Sequence, residues 1–122
     1  MNNVYLNYVP FFKALADDTR IKIIDMLSCG ELCACDILSL VDISQSTLSY
    51  HMKILTDSGL ITSRKDGSWV RYSINSAKKS ELLQFINKLV ENKSDCICKD
   101  LNTNLKLCCA DSKEIQNETR NN

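Results

Sequence analysis

Two cysteines one residue apart, Cys33 and Cys35, sit in the run Glu31-Leu32-Cys33-Ala34-Cys35-Asp36-Ile37-Leu38. Thiolates select soft ions such as Cd(II), Pb(II) or Cu(I) over oxygen-loving ones, and As(III) and Sb(III) share that preference. A short way downstream lies a hydroxyl-rich run, Ser44-Gln45-Ser46-Thr47-Leu48-Ser49-Tyr50-His51. Short polar side chains of this kind suit hydrogen bonds to base edges or to phosphates. The two runs lie too close to occupy separate domains, so one is expected to control the other.

The chain carries seven cysteines among 122 residues. It opens without the basic and long apolar regions of a secretory leader. No apolar run approaches the ~20 residues needed to span a bilayer. A cytoplasmic protein with no membrane partner is expected. A reducing compartment argues against structural disulfides, and an odd count argues against a fully paired framework. Cys29 is isolated and reads most simply as a small buried apolar residue. Cys96, Cys98, Cys108 and Cys109 fall in a polar stretch with no packing role to explain them.

The elements that must position these groups follow from periodicity. Residues 4–15 are rich in Tyr, Phe and Leu at helical spacing, with Pro10 marking a first turn or a kink. Asp17 and Asp18 can cap a helix over residues 19–27, which Gly30 would close. A third helix is predicted over residues 32–41, with Cys33 four residues before Ile37 on its packed side. On a regular helix, residues i and i+2 stand about 200° apart. Cys33 and Cys35 could then not both face one ion, and ligation would have to unwind the start of that helix.

Ser44 is a good N-cap for a fourth helix ending near Ser58, with Leu48, Met52 and Leu55 buried. His51 lies near the buried edge of that helix and reads as a packed, hydrogen-bonded histidine. Two helices joined by a tight turn, the second polar outside, describe a helix-turn-helix. Residues 60–65 and 68–74 then flank Asp66-Gly67, a favoured type I′ hairpin turn. A basic hairpin in this place reads as a wing. Equally, Arg and Lys there could simply blunt a sheet edge.

Ser76 can cap a fifth helix over residues 77–91, whose apolar band is broad for so small a domain. With the first helix it reads as a dimer interface. The expected division is a DNA-binding and dimerisation domain over residues 1–92 and a flexible, Cys-containing tail over residues 93–122.

Formal net charge is zero, with 15 basic and 15 acidic side chains. Between residues 44 and 79, however, Lys53, Arg64, Lys65, Arg71, Lys78 and Lys79 face only Asp57 and Asp66, a local balance of +4. Gln45, Ser46, Thr47, Ser49 and Tyr50 are the candidate base-edge or phosphate contacts. Lys53, Arg64, Lys65 and Arg71 are the candidate phosphate contacts, which would make affinity salt-dependent.

The Glu-Leu-Cys-Ala-Cys-Asp run at 31–36, the Ser-Gln-Ser-Thr-Leu-Ser-Tyr-His-Met-Lys-Ile-Leu run at 44–55, Gly-Leu-Ile at 59–61 and Val-Arg-Tyr-Ser-Ile at 70–74 together resemble the ArsR/SmtB family of metal-sensing repressors. The Ala-Leu-Ala-Asp-Asp-Thr-Arg run at 14–20 also fits. The resemblance covers residues 5–91. It implies a mainly α, homodimeric winged helix-turn-helix with about five helices and a two-stranded wing. It implies a repressor that sits on an inverted repeat in operator DNA and is released by a metal. The Cys-x-Cys is similar to that of the family's arsenic sensors, so As(III) or Sb(III) is the expected inducer. Cadmium and lead sensors of the family share the pair, which keeps Cd(II) and Pb(II) open. The arsenic sensors often carry a third cysteine two or three residues further on, where this chain has Ile37 and Leu38. A third thiolate would then come from Cys29 or from the tail cysteines, or the site would hold its ion with two sulfurs.

Two rivals differ in signal or class. A repressor of the same fold could sense oxidants or reactive sulfur through its thiols. A thiol-rich metal-sequestering protein would need neither the polar face at 45–50 nor the basic wing. An enzyme is not expected, because the lone histidine, His51, has no evident nucleophile beside it.

Overall fold

The computed structural model describes residues 4–94 and 96–100. The chain divides into one unit ending at Leu89 and a second beginning at Val90. In the first, a 3-10 turn at Val4–Asn7 leads into helix α1, Val9–Leu15, with Pro10 in its first turn, where its missing N–H costs nothing. Helix α2, Asp18–Leu27, starts at Asp17, whose carboxylate accepts the Arg20 backbone N–H at 3.1 Å. That hydrogen bond holds the Asp17 carboxyl below the ordinary carboxylate range.

Strand β1, Leu32–Cys33, precedes a short helix α3, Ala34–Leu38. The expected helix over 32–41 is therefore cut to five residues. Its first two positions instead pair with a distant strand, with Leu32 opposite Tyr72 and Cys33 opposite Arg71. Helix α4, Gln45–Ser58, runs from Ser44, whose Oγ accepts the Thr47 N–H at 3.1 Å, to Gly59. Gly59 takes φ +90°, the left-handed cap that a Cβ would strain.

Strands β2, Ile61–Asp66, and β3, Trp69–Ile74, form the wing, and the sheet order is β1-β3-β2, all antiparallel. The wing is thus backed by a third strand. Asp66 pairs with Trp69, so the turn is Gly67-Ser68 rather than Asp66-Gly67. A type I′ turn needs positive φ at both central residues, and only Gly67 has it. Glycine first in the turn, followed by a residue of negative φ, is the type II′ pattern. Helix α5, Ser76–Val90, is capped by Asn75, whose Oδ1 accepts the Lys78 N–H at 3.2 Å, one residue earlier than expected.

The largest fully buried side chains of the core are Ile23 of α2, Ile37 of α3, Leu48 and Leu55 of α4, and Ile61 of β2. Each such burial contributes about 1.5–3 kcal/mol. Three are on α3 and α4, so this core holds the helix-turn-helix as one piece. Tyr8 of the approach to α1 stacks on Phe85 of α5, ring centroids 4.0 Å apart. In the second unit, Ile97–Asp100 form a 3-10 turn.

Candidate functional site

Cys33 is not on a helix. It occupies the N-cap of α3 with extended backbone, φ −88° and ψ 165°, while Cys35 sits in the first turn. The 200° separation therefore does not apply. The two Sγ atoms face each other at 2.6 Å, and the start of α3 stays wound. The expectation that both thiols can meet only by unwinding a helix is overturned, because pairing of β1 with β3 has already drawn Cys33 off the helix axis.

Asp36 closes this corner. Its Oδ2 accepts the Cys33 backbone N–H at 3.1 Å and the Cys33 S–H at 3.1 Å. Those two donors hold the Asp36 carboxyl below the ordinary carboxylate range. The Cys35 thiol is pushed up, first by its hydrogen bond with Cys33 and then by burial. Cys33 is buried, as its spacing from Ile37 predicted, and Cys35 is exposed. One donor thus anchors the corner from inside while the other opens to solvent. Cys33, Cys35 and Asp36 each offer a ligand atom within 4.8 Å of the others, and among the described residues they are the group of three that could hold a metal ion. The donor set is two soft sulfurs and one hard oxygen, which fits a thiophilic ion.

The other cysteines fall elsewhere. Cys29 is exposed, not buried as expected, and does not join this group. Cys96 and Cys98 are half-buried in the second unit. Cys108 and Cys109 lie outside the described residues. Ile37, where a third cysteine could have stood, is fully buried in the core.

The polar face of α4 is presented as its spacing predicted. Gln45, Ser46, Thr47, Ser49 and Tyr50 are all exposed. The first turn is ordered by Ser44, whose hydroxyl also donates to Thr47 Oγ1 at 2.9 Å. His51 is buried, and its Nδ1 stands 3.0 Å from Arg20 Nη1, which donates to it. Arg20 Nε donates in turn to the Ala14 carbonyl at 2.7 Å. This chain of contacts ties α4 to α1 and α2, and it confirms the packed reading of His51. Arg20 has no local signature, since its partner is 31 positions away.

Three of the four candidate phosphate contacts are engaged with carboxylates. Lys53 pairs with Asp57 at 2.9 Å, Arg71 with Asp66 at 3.0 Å, and Arg64 forks onto Glu31 at 2.9 and 2.7 Å. The Glu31–Arg64 contact lowers the glutamate's pKa and raises that of the guanidinium. Lys65 is exposed on β2.

Comparison with known proteins agrees with this architecture. The family model for bacterial regulatory proteins of the arsR family matches residues 17–63. The chain is 43% identical over 97 residues to the arsenical resistance operon repressor of Staphylococcus aureus, covering 80% of this chain and 93% of that one. It is 42% identical over 80 residues to a cadmium resistance transcriptional regulatory protein CadC homolog of Staphylococcus aureus, covering 65% and 66% of the two chains. Among solved structures, HlyU from Vibrio cholerae N16961 matches with a TM-score of 0.61 at 30% identity, over 74% of this chain and 98% of that one. The chain belongs to the arsR family of bacterial transcriptional regulators and is not an enzyme.

Proposed function

We propose that this repressor leaves its operator when Cys33 and Cys35 capture a thiophilic metalloid, As(III) or Sb(III). The observation that carries this reading is that the two sulfurs lie within reach of one ion, inside 4.8 Å of each other, at the N-terminus of α3, the helix that leads into α4. A soft ion would supply strong bonds to both sulfurs there. Cys33 then gives up the S–H that donates to Asp36, and the contact that closes the first turn of α3 is weakened. Cys33 is held to β3 through β1, and Ile37 is held in the core beside Leu48 and Leu55. A shift at Cys33 therefore reaches both the wing and α4. Useful release needs metalloid and DNA to disfavour each other by about 1–3 kcal/mol.

Gln45, Ser46, Thr47, Ser49 and Tyr50 would read or position the duplex, and Lys53, Arg64, Lys65 and Arg71 would hold phosphates. Exposed Tyr5, Leu6, Phe12 and Leu83, on and beside α1 and α5, support a second copy of the chain as partner. A two-fold dimer would match an inverted repeat in the operator. The tail cysteines Cys96, Cys98, Cys108 and Cys109 are a second set of donors in this reading, and the protein acts in the cytoplasm.

A second reading, release by Cd(II) or Pb(II), is favoured by one observation: the Asp36 oxygen lies in the same cluster as the two sulfurs. The likeness to a cadmium resistance regulator supports it. Anisotropy of labelled operator DNA tests both. Arsenite should release the wild-type chain, while Cys33→Ser and Cys35→Ser should bind DNA normally and stay bound. Normal release of both variants would remove this pair from the mechanism. Titration with antimonite, Cd(II) and Pb(II) ranks the inducers.

A further inference from the structure

Glu31 immediately precedes β1, two residues from Cys33, and its carboxylate occupies both Nε and Nη2 of Arg64 across the sheet. These are the donors a guanidinium uses to fork onto a phosphate. Arg64 stands directly opposite Arg71 in the wing, and Arg71 stands opposite Cys33 on the other side, so the three share one row of the sheet. Two arginines facing each other repel unless something neutralises them. Here Glu31 answers Arg64 and Asp66 answers Arg71.

We infer that Glu31 is a positioning residue that withholds Arg64 from DNA, so that operator phosphate and the Glu31 carboxylate compete for the same fork. This rests on the proposed phosphate role of Arg64. The Glu31–Arg64 pair is at the surface and opens readily, so DNA wins the competition but binds more weakly than it would to an unclasped arginine. The clasp also joins the thiol-bearing strand to the wing.

A double-mutant cycle on the full chain tests this, with a labelled duplex that the wild-type protein has selected from a random-sequence pool. Glu31→Gln keeps the side chain's size and removes its charge. It should tighten binding about two- to fivefold at low salt. In an Arg64→Ala background, which by itself weakens binding, the same change should leave affinity nearly unaltered. Equal tightening in both backgrounds would mean that Glu31 acts by its charge on DNA alone, and would overturn the clasp. No tightening in the wild-type background, with Arg64→Ala still weakening binding, would overturn it as well. If Arg64→Ala binds as well as wild type, the phosphate role of Arg64 fails first, and the clasp with it.

Discussion

Two helices of this protein begin in the same way and end up with different tasks. Ser44 before α4 and Cys33 before α3 both hold extended backbone, with φ −72° and ψ 160° in one and φ −88° and ψ 165° in the other. Ser44 uses its side-chain oxygen on its own helix, accepting the Thr47 N–H. Cys33 shares the closing of its turn with Asp36 in a reciprocal capping box, and its sulfur also faces Cys35. One N-cap fixes the helix whose exposed face is proposed to meet DNA. The other holds a thiol where ligation at sulfur would act on the first turn of the helix beside it. A helix start is a sensible place for a switch, because its first N–H groups have no partner within the helix.

The largest test of this contrast is the anchor of the short helix. Ile37 is fully buried and is the buried residue of α3. Ile37→Ala should cost about 2–5 kcal/mol in urea unfolding. A loss under 1 kcal/mol would mean that α3 floats over the core and cannot pass on a shift at Cys33.

Next in size come the two caps. Ser44→Ala should cost about 1 kcal/mol and weaken operator binding, since the exposed face of α4 starts there. Cys33→Ser should stay within about 1 kcal/mol of wild type, because serine suits an N-cap and can still donate to Asp36. If Cys33→Ser were the more damaging in unfolding experiments, the sulfur would be a structural part rather than a sensor.

The smallest effects are read through pH. The Asp36 carboxyl is depressed in the fold by its Cys33 donors. Its contribution to stability is complete above the unfolded-state carboxylate value and is lost as pH falls through the lower folded value. Asp36→Asn should flatten that acid limb in a stability-versus-pH series. The Cys35 thiol is raised, so less thiolate is present at neutral pH than in a free cysteine. Its alkylation by iodoacetamide, followed by peptide mass spectrometry, should be slower than that of a model thiol at pH 7–8 and keep rising at higher pH. Faster alkylation than the model thiol would contradict the Cys33–Cys35 hydrogen bond.

The same contrast shows what could be read in advance. For α4, the cap at Ser44, the buried Leu48, Met52 and Leu55 and the end at Ser58 are local features, and all stand as the spacing implied. The thiol corner depends on a pairing 38 to 40 positions away, Cys33 with Arg71 and Leu32 with Tyr72. Helical spacing over residues 32–41 could not reveal it, because tertiary pairing overrides local preference for short segments. The separation of about 200° holds only on a regular helix, and β1 takes Cys33 off it. Glu31–Arg64 and Arg20–His51 were hidden for the same reason, as side chains that meet only in the fold. The turn at Gly67-Ser68 and the cap at Asn75 each moved by a single residue, which local signals do not resolve.

The Cys33–Cys35 pair is proposed as the sensor. The most direct measurement uses a full chain in which Cys29, Cys96, Cys98, Cys108 and Cys109 are all serine. Arsenite titrated into its operator complex, followed by anisotropy, should still release the DNA. Intact DNA binding with no release by arsenite would place the sensing thiols elsewhere and contradict the account.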